Sequence, residues 1–243
     1  MKRSGFILSI TFFTVFFIAV CLILGFLALK LIDLQNEKTV AAEPEKFTVI
    51  VDAGHGGEDG GAVGIDNKTL EKDVNLSVSL YLGKLLEAEG VNVIYTRTED
   101  ILLYDRNVDY QGRKKSLDLR ARLDIAEKNP EALFVSVHMN SFGNAKYSGM
   151  QVYYSDCIEG GRLLADEIQK MSRFLSPENN RKIKKANSSI YLLDRAPGTA
   201  VLVECGFLSN YEECSLLATE DYRKKVAFAI FRGIMNYKDG KNT

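Results

Sequence analysis

The chain has 243 residues, 46% hydrophobic and 26% charged, with a formal net charge of -1. These ordinary globular values exclude a disordered chain, a collagen-like repeat and a strongly basic binder, so no nucleic-acid partner is expected. The averages conceal one anomaly: Gly5 to Leu29 is a run of 25 residues without a charge.

That run follows Lys2-Arg3 and ends at Lys30. As a helix it reaches roughly 37 Å, enough to cross a hydrocarbon core of about 30 Å. Its length favours a retained membrane anchor over a secretory h-region of about 7 to 15 apolar residues. Val40-Ala41-Ala42 leaves open a cleaved signal ending near Ala42. In either case Lys2 and Arg3 stay inside and the remainder is extracytoplasmic, membrane-anchored or secreted. Cys21 lies within the apolar run, which leaves Cys157, Cys205 and Cys214 outside it. An odd number is no closed disulfide framework; a Cys205–Cys214 bridge and free thiols both stay open.

Residues 1–30 thus read as anchor or signal, 31–46 as a polar tether with Pro44, 47–238 as one catalytic or binding domain and 239–243 as a tail. Thr48 to Asp52 is a strand-like run, and Leu70 to Glu89 has helical spacing through Leu70, Val74, Leu80 and Leu85. Val91 to Thr96 predicts a second strand, Ser116 onward a helix, and Ala132 to Val137 a third strand. Gly149 to Tyr154 predicts a strand, Arg162 to Phe174 a helix, Ser189 to Leu193 and Ala200 to Val203 two strands, and Tyr222 to Tyr237 a closing helix. This alternation implies a single α/β domain whose mostly parallel sheet carries helices on both faces.

Glycines cluster after the first strand, in Gly54-His55-Gly56-Gly57-Glu58-Asp59-Gly60-Gly61. The cluster fails the dinucleotide fingerprint, because Asp59 stands at the third glycine position, and no Gly-Lys-Ser/Thr follows it. A Gly-x-Ser-x-Gly elbow is missing, and His-Glu-x-x-His is ruled out because the chain has only His55 and His138. Both follow predicted strands at their carboxyl ends, where open α/β sheets build their crevices. Two such histidines can face one metal or be satisfied individually. Carboxylates stand at comparable places: Glu71 opens a helix, where an acid also suits the helix dipole. Glu204 ends the apolar strand Ala200 to Val203, where burial is costly without a partner.

Four segments carry a family resemblance: Val51-Asp52-Ala53-Gly54-His55-Gly56-Gly57, Leu70-Glu71-Lys72-Asp73-Val74-Asn75-Leu76, Ser136-Val137-His138-Met139-Asn140-Ser141 and Leu202-Val203-Glu204-Cys205-Gly206-Phe207-Leu208-Ser209-Asn210. In order and spacing, from about Phe47 to Tyr237, the chain resembles zinc-dependent N-acetylmuramoyl-L-alanine amidases of the amidase 3 type. Thr96-Arg97, Arg120-Ala121-Arg122 and Tyr191-Leu192-Leu193 support it. The resemblance implies a Zn2+ ion held by His55, Glu71 and His138, with Glu204 as catalytic carboxylate. Two imidazoles and a carboxylate are a common catalytic zinc set with one position left open. Asn140 is a candidate substrate contact, and a turn asparagine by the bland reading. The runs Arg113-Lys114-Lys115 and Arg181-Lys182-Ile183-Lys184-Lys185 read as solvated faces, with attraction of anionic wall polymer as the alternative.

A plan of anchor plus one catalytic domain is similar to that of germination-specific spore-cortex amidases. That similarity implies peptidoglycan as substrate, a role in forming muramic-δ-lactam with a partner deacetylase, and an open question of an activating protein. A vegetative amidase of division or autolysis, a zinc peptidase of the stem peptide and a catalytically silent, zinc-stabilised wall-binding module are the alternatives.

Overall fold

The computed structural model describes residues 16–32, 46–105, 107, 111–156 and 160–241. The chain divides into two compact units, residues 1–46 and 47–243.

In the first unit a helix, α1, spans residues 16–32. Phe16, Phe17, Leu22, Ile23, Leu24 and Phe26 are all more than half exposed on it. Among the described residues no helix is long and apolar enough to cross a membrane. Residues 5–15, where the apolar run begins, and the cleavage alternative at Val40 to Ala42 lie outside the described residues.

The second unit is an α/β domain. Its strands are β1 (Thr48–Ala53), β2 (Asn92–Tyr95), β3 (Leu133–Asn140), β4 (Gln151–Tyr154), β5 (Lys184–Lys185) and β6 (Ala200–Phe207). Its helices are α2 (Glu71–Ala88), α3 (Lys114–Glu127), α4 (Gly160–Leu175), α5 (Tyr191–Arg195), α6 (Tyr211–Leu217) and α7 (Glu220–Lys241). The strands form one sheet in the order β2-β1-β3-β6-β4-β5. β2, β1, β3 and β6 run parallel, and β4 turns the sheet antiparallel at β6.

Side-chain alternation divides the core into two layers. Val49, Val51, Val135, Val137, Val201 and Val203 join Val74, Val78, Leu164 and Ile230 on the face covered by α2, α4 and α7. Ile50, Phe134 and Leu202 point the other way, against Leu123 of α3 and Leu192 and Leu193 of α5. Continuous apolar strands of this kind need both faces covered.

The run Ser189 to Leu193, expected as a strand, instead leads through a turn into the short helix α5, which begins at Tyr191. A four-residue apolar run has no period that separates the two states. Pro197 closes it, because Ala196 before it adopts φ -57°, ψ 131°, the extended backbone a proline imposes on its predecessor. The two-residue strand β5 and the helix α6, capped by the Asn210 side chain on Glu212 N and Glu213 N, carry no run long enough to predict. The closing helix runs on to Lys241. Cys205 and Cys214 are buried free thiols; Cys157 lies outside the described residues.

Candidate metal centre and active site

The site forms where β1, β3 and β6 end. β1 delivers His55 through a tight turn: Gly54 N bonds Val137 O at 3.1 Å, and Gly56 and Asp59 exchange backbone bonds of 2.9 and 3.0 Å. His55 itself takes φ 61°, a left-handed conformation that costs a non-glycine residue energy and persists only when its surroundings hold it. Two arginines hold it. Arg122 donates from Nη1 to Ala53 O and from Nη2 to His55 O, each at 2.7 Å. Arg97 donates from Nε to Ala53 O at 2.9 Å and from Nη2 to Gly54 O at 3.0 Å.

Arg122 is in turn fixed by buried carboxylates. Its Nη1 meets Asp52 Oδ1 at 2.6 Å and its Nε meets Asp118 Oδ2 at 2.7 Å. Asp52 also accepts from Ser136 Oγ at 2.6 Å and Thr96 Oγ1 at 2.8 Å. Burial pushes the Asp52 carboxyl up, but Arg122 and these hydroxyls together hold it below the usual range.

Glu71 is the first residue of α2, and its oxygens are fully engaged. Oε2 accepts from Ala62 N at 2.8 Å and Oε1 from Met139 N at 3.1 Å. Oε1 lies 3.2 Å from His55 Nε2 and 3.0 Å from His138 Nδ1. Burial pushes the Glu71 carboxyl up, yet the two imidazoles hold it far below the carboxylate range. For His55, burial pushes down while Glu71 and Asp59 push up more strongly, so its pKa rises. Asp59 Oδ2 stands 2.9 Å from His55 Nδ1, an ion-pair contact off the line of a hydrogen bond.

Two glycines make this convergence possible. A Cβ at Gly54 would fall 2.3 Å from Cε1 and Nε2 of His138, so the imidazole lies where only hydrogen is tolerated. A Cβ at Gly61, whose φ is +64°, would meet Glu71 Oε2 at 2.6 Å and His55 Cδ2 at 2.8 Å.

Glu204 is the direct ladder partner of His138. Beyond them the register slips, Asn140 pairing with Phe207, so β6 carries an extra residue, a bulge of the kind that re-aims side chains beside active sites. Glu204 Oε2 is buried without a hydrogen-bond partner among the described residues. Burial, then the neighbouring Glu71 charge, raises its pKa to about 7 against the pull of the imidazoles.

The structure therefore brings His55, Glu71 and His138 together, with one donor atom from each within 4.8 Å of the others. These are the donor types and number of a three-ligand catalytic zinc site, and the residues fit such an ion. A cleft of about 260 Å³ opens on them, lined by His55, His138 and Glu204 and extending to Lys115, Leu119 and Tyr191. Asn140 is not among its lining residues; its carbonyl accepts from Leu208 N at 2.8 Å. Arg181, read from sequence as solvated, donates from Nε to Ser148 O at 2.6 Å and stacks 4.5 Å above the Phe207 ring. Lys115, read in the same way, is a wall of the cleft. Asp59 and the tethering roles of Arg97 and Arg122 escape sequence reasoning, since each acts through backbone or a side chain distant along the chain.

Residues 49–236 match the family model described as N-acetylmuramoyl-L-alanine amidase. The chain belongs to this family. The germination-specific N-acetylmuramoyl-L-alanine amidase of Bacillus subtilis is 37% identical over 189 residues, 78% of each chain. Among solved structures, the CwlD amidase from Clostridioides difficile, determined in complex with the GerS lipoprotein, superposes with a TM-score of 0.75 at 40% identity, covering 80% of this chain and 99% of that one. The catalytic domain of CwlV from Bacillus (Paenibacillus) polymyxa follows the same fold with a TM-score of 0.68 at 31% identity, covering 79% and 98%. This amidase thus acts on peptidoglycan.

Proposed function

We propose that the chain is a zinc hydrolase that cleaves the amide joining the lactyl group of N-acetylmuramic acid to L-alanine, and that it does so in spore cortex. The observation that carries the reading is the side-by-side placement of the His55–Glu71–His138 donor set and the unpartnered Glu204 carboxylate in one cleft.

On this reading His55, Glu71 and His138 hold Zn2+, which when bound polarises the scissile carbonyl and a water molecule. Glu204 Oε2, which lies beside His138 without a partner among the described residues, takes the water's proton and hands it to the departing alanine nitrogen. Arg97 and Arg122 fix the backbone beneath His55, and the Asp59 carboxylate stands 2.9 Å from its second ring nitrogen, where it favours the charged ring.

The cortex setting is supported by the germination-specific relative, matched over 78% of both chains. There the product is a muramic residue freed of its peptide, the substrate a partner deacetylase needs for muramic-δ-lactam. A lipoprotein partner is proposed because the CwlD amidase was solved with one. The exposed apolar surface of α1 and the uncharged run Gly5 to Leu29 support an extracytoplasmic domain, residues 47–238, anchored by residues 1–30 through a tether at 31–46 and ending in a tail at 239–243.

The deciding experiment is digestion of purified vegetative peptidoglycan and spore cortex by the full-length chain, with and without zinc and with a co-expressed lipoprotein partner, read by mass spectrometry. Intact stem peptides with a free L-alanine amino terminus, released only with zinc and preferentially from cortex, are expected. Fragments cut within the stem would make the enzyme a peptidase, and zinc binding without release would make it a wall-binding module.

A further inference from the structure

The cleft continues away from the metal-binding residues, between Lys115 and Leu119 of α3 and Ser189 to Leu192 at α5. Its described walls are rich in carboxylates: Asp52, Asp59, Asp118 and Glu204. Two cations line it, and they are in different situations. Arg122 is 1% exposed and spends its donors on Asp52, Asp118 and the Ala53 and His55 carbonyls. It has nothing left for a ligand.

Lys115 is the opposite case. Its side chain is 68% exposed, and its ammonium stands 3.8 Å from Asp59 Oδ2, at the outer limit of an ion pair. That carboxylate is already turned to His55 Nδ1 at 2.9 Å, and Asp59 Oδ1 accepts from Gly61 N at 3.2 Å. Its neighbour Lys114 pairs instead with Glu58. Among the described lining residues, Lys115 is therefore the one cation with donors to spare, and only the Asp59 carboxylate stands between it and the His55 ring.

The substrate's chemistry meets this geometry. The stem peptide begins at the scissile nitrogen with L-alanine, followed by a D-glutamyl residue that continues through its γ-carboxyl. The α-carboxylate of that second residue stays free, two residues from the scissile carbonyl, on the order of 7 Å in an extended chain. A carboxylate entering a cleft bordered by Asp59 and Glu204 is repelled unless a cation offsets them.

We propose that Lys115 forms a carboxylate-binding subsite that takes the free α-carboxylate of the second stem residue, so that the enzyme prefers stems bearing D-glutamate there over stems bearing the amide. The proposal rests on the amidase reading above. An ammonium forms a charge-assisted hydrogen bond with a carboxylate and loses the ionic part against a neutral amide.

The test uses the full-length chain with zinc and two muramyl-glycan substrates, identical except for D-glutamate or D-isoglutamine at the second stem position. The unsubstituted chain is expected to show about a fivefold higher kcat/KM on the acid, carried by KM, the range of a solvent-accessible ion pair. Lys115→Ala should reduce the acid-to-amide ratio to near one, Lys115→Arg should restore it, and Lys114→Ala should preserve it. An equal ratio in the unsubstituted chain overturns the subsite, as does an equal loss in Lys114→Ala, which would mark a diffuse field. If neither substrate is cleaved, the amidase reading fails separately. Equilibrium binding of the L-alanyl-γ-D-glutamyl stem peptide and its amide then decides the subsite, which falls if Lys115→Ala leaves their affinity ratio unaltered.

Discussion

His138 and Glu204 are direct partners across the β3–β6 ladder, and residue alternation sends both side chains to the α3 side of the sheet. Parallel neighbours in register thus place an imidazole of the candidate metal site and a carboxylate side by side without a loop to position either. Glu71 reaches the same point from the start of α2, its Oε1 3.0 Å from His138 Nδ1. The division of labour follows from satisfaction: Glu71 has both oxygens engaged, whereas Glu204 keeps one without a partner among the described residues.

Glu204→Gln is expected to keep the fold and the zinc affinity while turnover falls by about 10²- to 10⁴-fold, the range for losing a general acid-base group. Zinc content by atomic absorption beside stem-peptide release measures both. Loss of zinc together with activity would make Glu204 a ligand.

Gly54→Ala probes the packing of His138. The added methyl carbon would lie 2.3 Å from the imidazole, so the ring must leave its place beside Glu71 Oε1. Zinc affinity should fall by at least the 10- to 100-fold that disturbed ligand orientation typically costs. Competition with a chromophoric chelator reads this directly. Affinity within twofold of the unsubstituted chain would show that the ring has another productive position.

Arg122→Met should be among the most destabilising single changes. It leaves the Asp52 and Asp118 carboxylates buried without their cation and frees the His55 carbonyl, while the Ala53 carbonyl keeps only Arg97. Breaking one partner of a buried ion pair costs about 3 to 5 kcal/mol. Denaturant unfolding at pH 7 measures it, and a loss under about 1 kcal/mol would refute the role given to this network.

How far this site is readable from sequence depends on whether a residue acts at a strand end or through the fold. His55 and His138 announce themselves because each ends an apolar run, and Glu204 because a carboxylate there has no cheap alternative. The helices over Glu71–Ala88 and Lys114–Glu127 follow their apolar spacing. Asp59 and Lys115 give no such signal: both belong to polar stretches, and only the packing of α3 against the glycine turn makes them walls of the cleft. Arg122 enters the sequence reading only within Arg120-Ala121-Arg122, and its burial to 1% exposure leaves no local signal, because its partner Asp52 is 70 residues away in the chain. Helix α5 was hidden for a different reason, since Ile190 to Leu193 suits either backbone until Pro197 and the packing against Leu123 decide.

The pH dependence of the metal-free protein isolates Glu204. Burial, reinforced by the Glu71 charge, lifts its pKa from 4.5 to about 7 in the folded chain. Below pH 4.5 the carboxyl is protonated in both states and contributes no difference. Between 4.5 and 7 the unfolded chain gives up the proton while the folded one keeps it, so stability falls as pH rises. Above 7 the penalty is complete, at about 3 kcal/mol. Other groups act in the same range: the raised pKa of His55 supplies stability that is also lost as pH rises, and the lowered pKa of Glu71 supplies stability lost as pH falls. Comparison with Glu204→Gln at each pH cancels those contributions to the extent that the neighbours keep their environment. Unfolding in denaturant with a chelator present, at pH 5, 6, 7 and 8, should therefore show the variant gaining on the unsubstituted chain by up to about 3 kcal/mol, with most of the gain between pH 5 and 7. Added zinc should shrink that gain, because a cation beside the carboxyl favours its ionised form. A difference that stays flat across this range would mean that burial does not lift the Glu204 carboxyl in the folded chain.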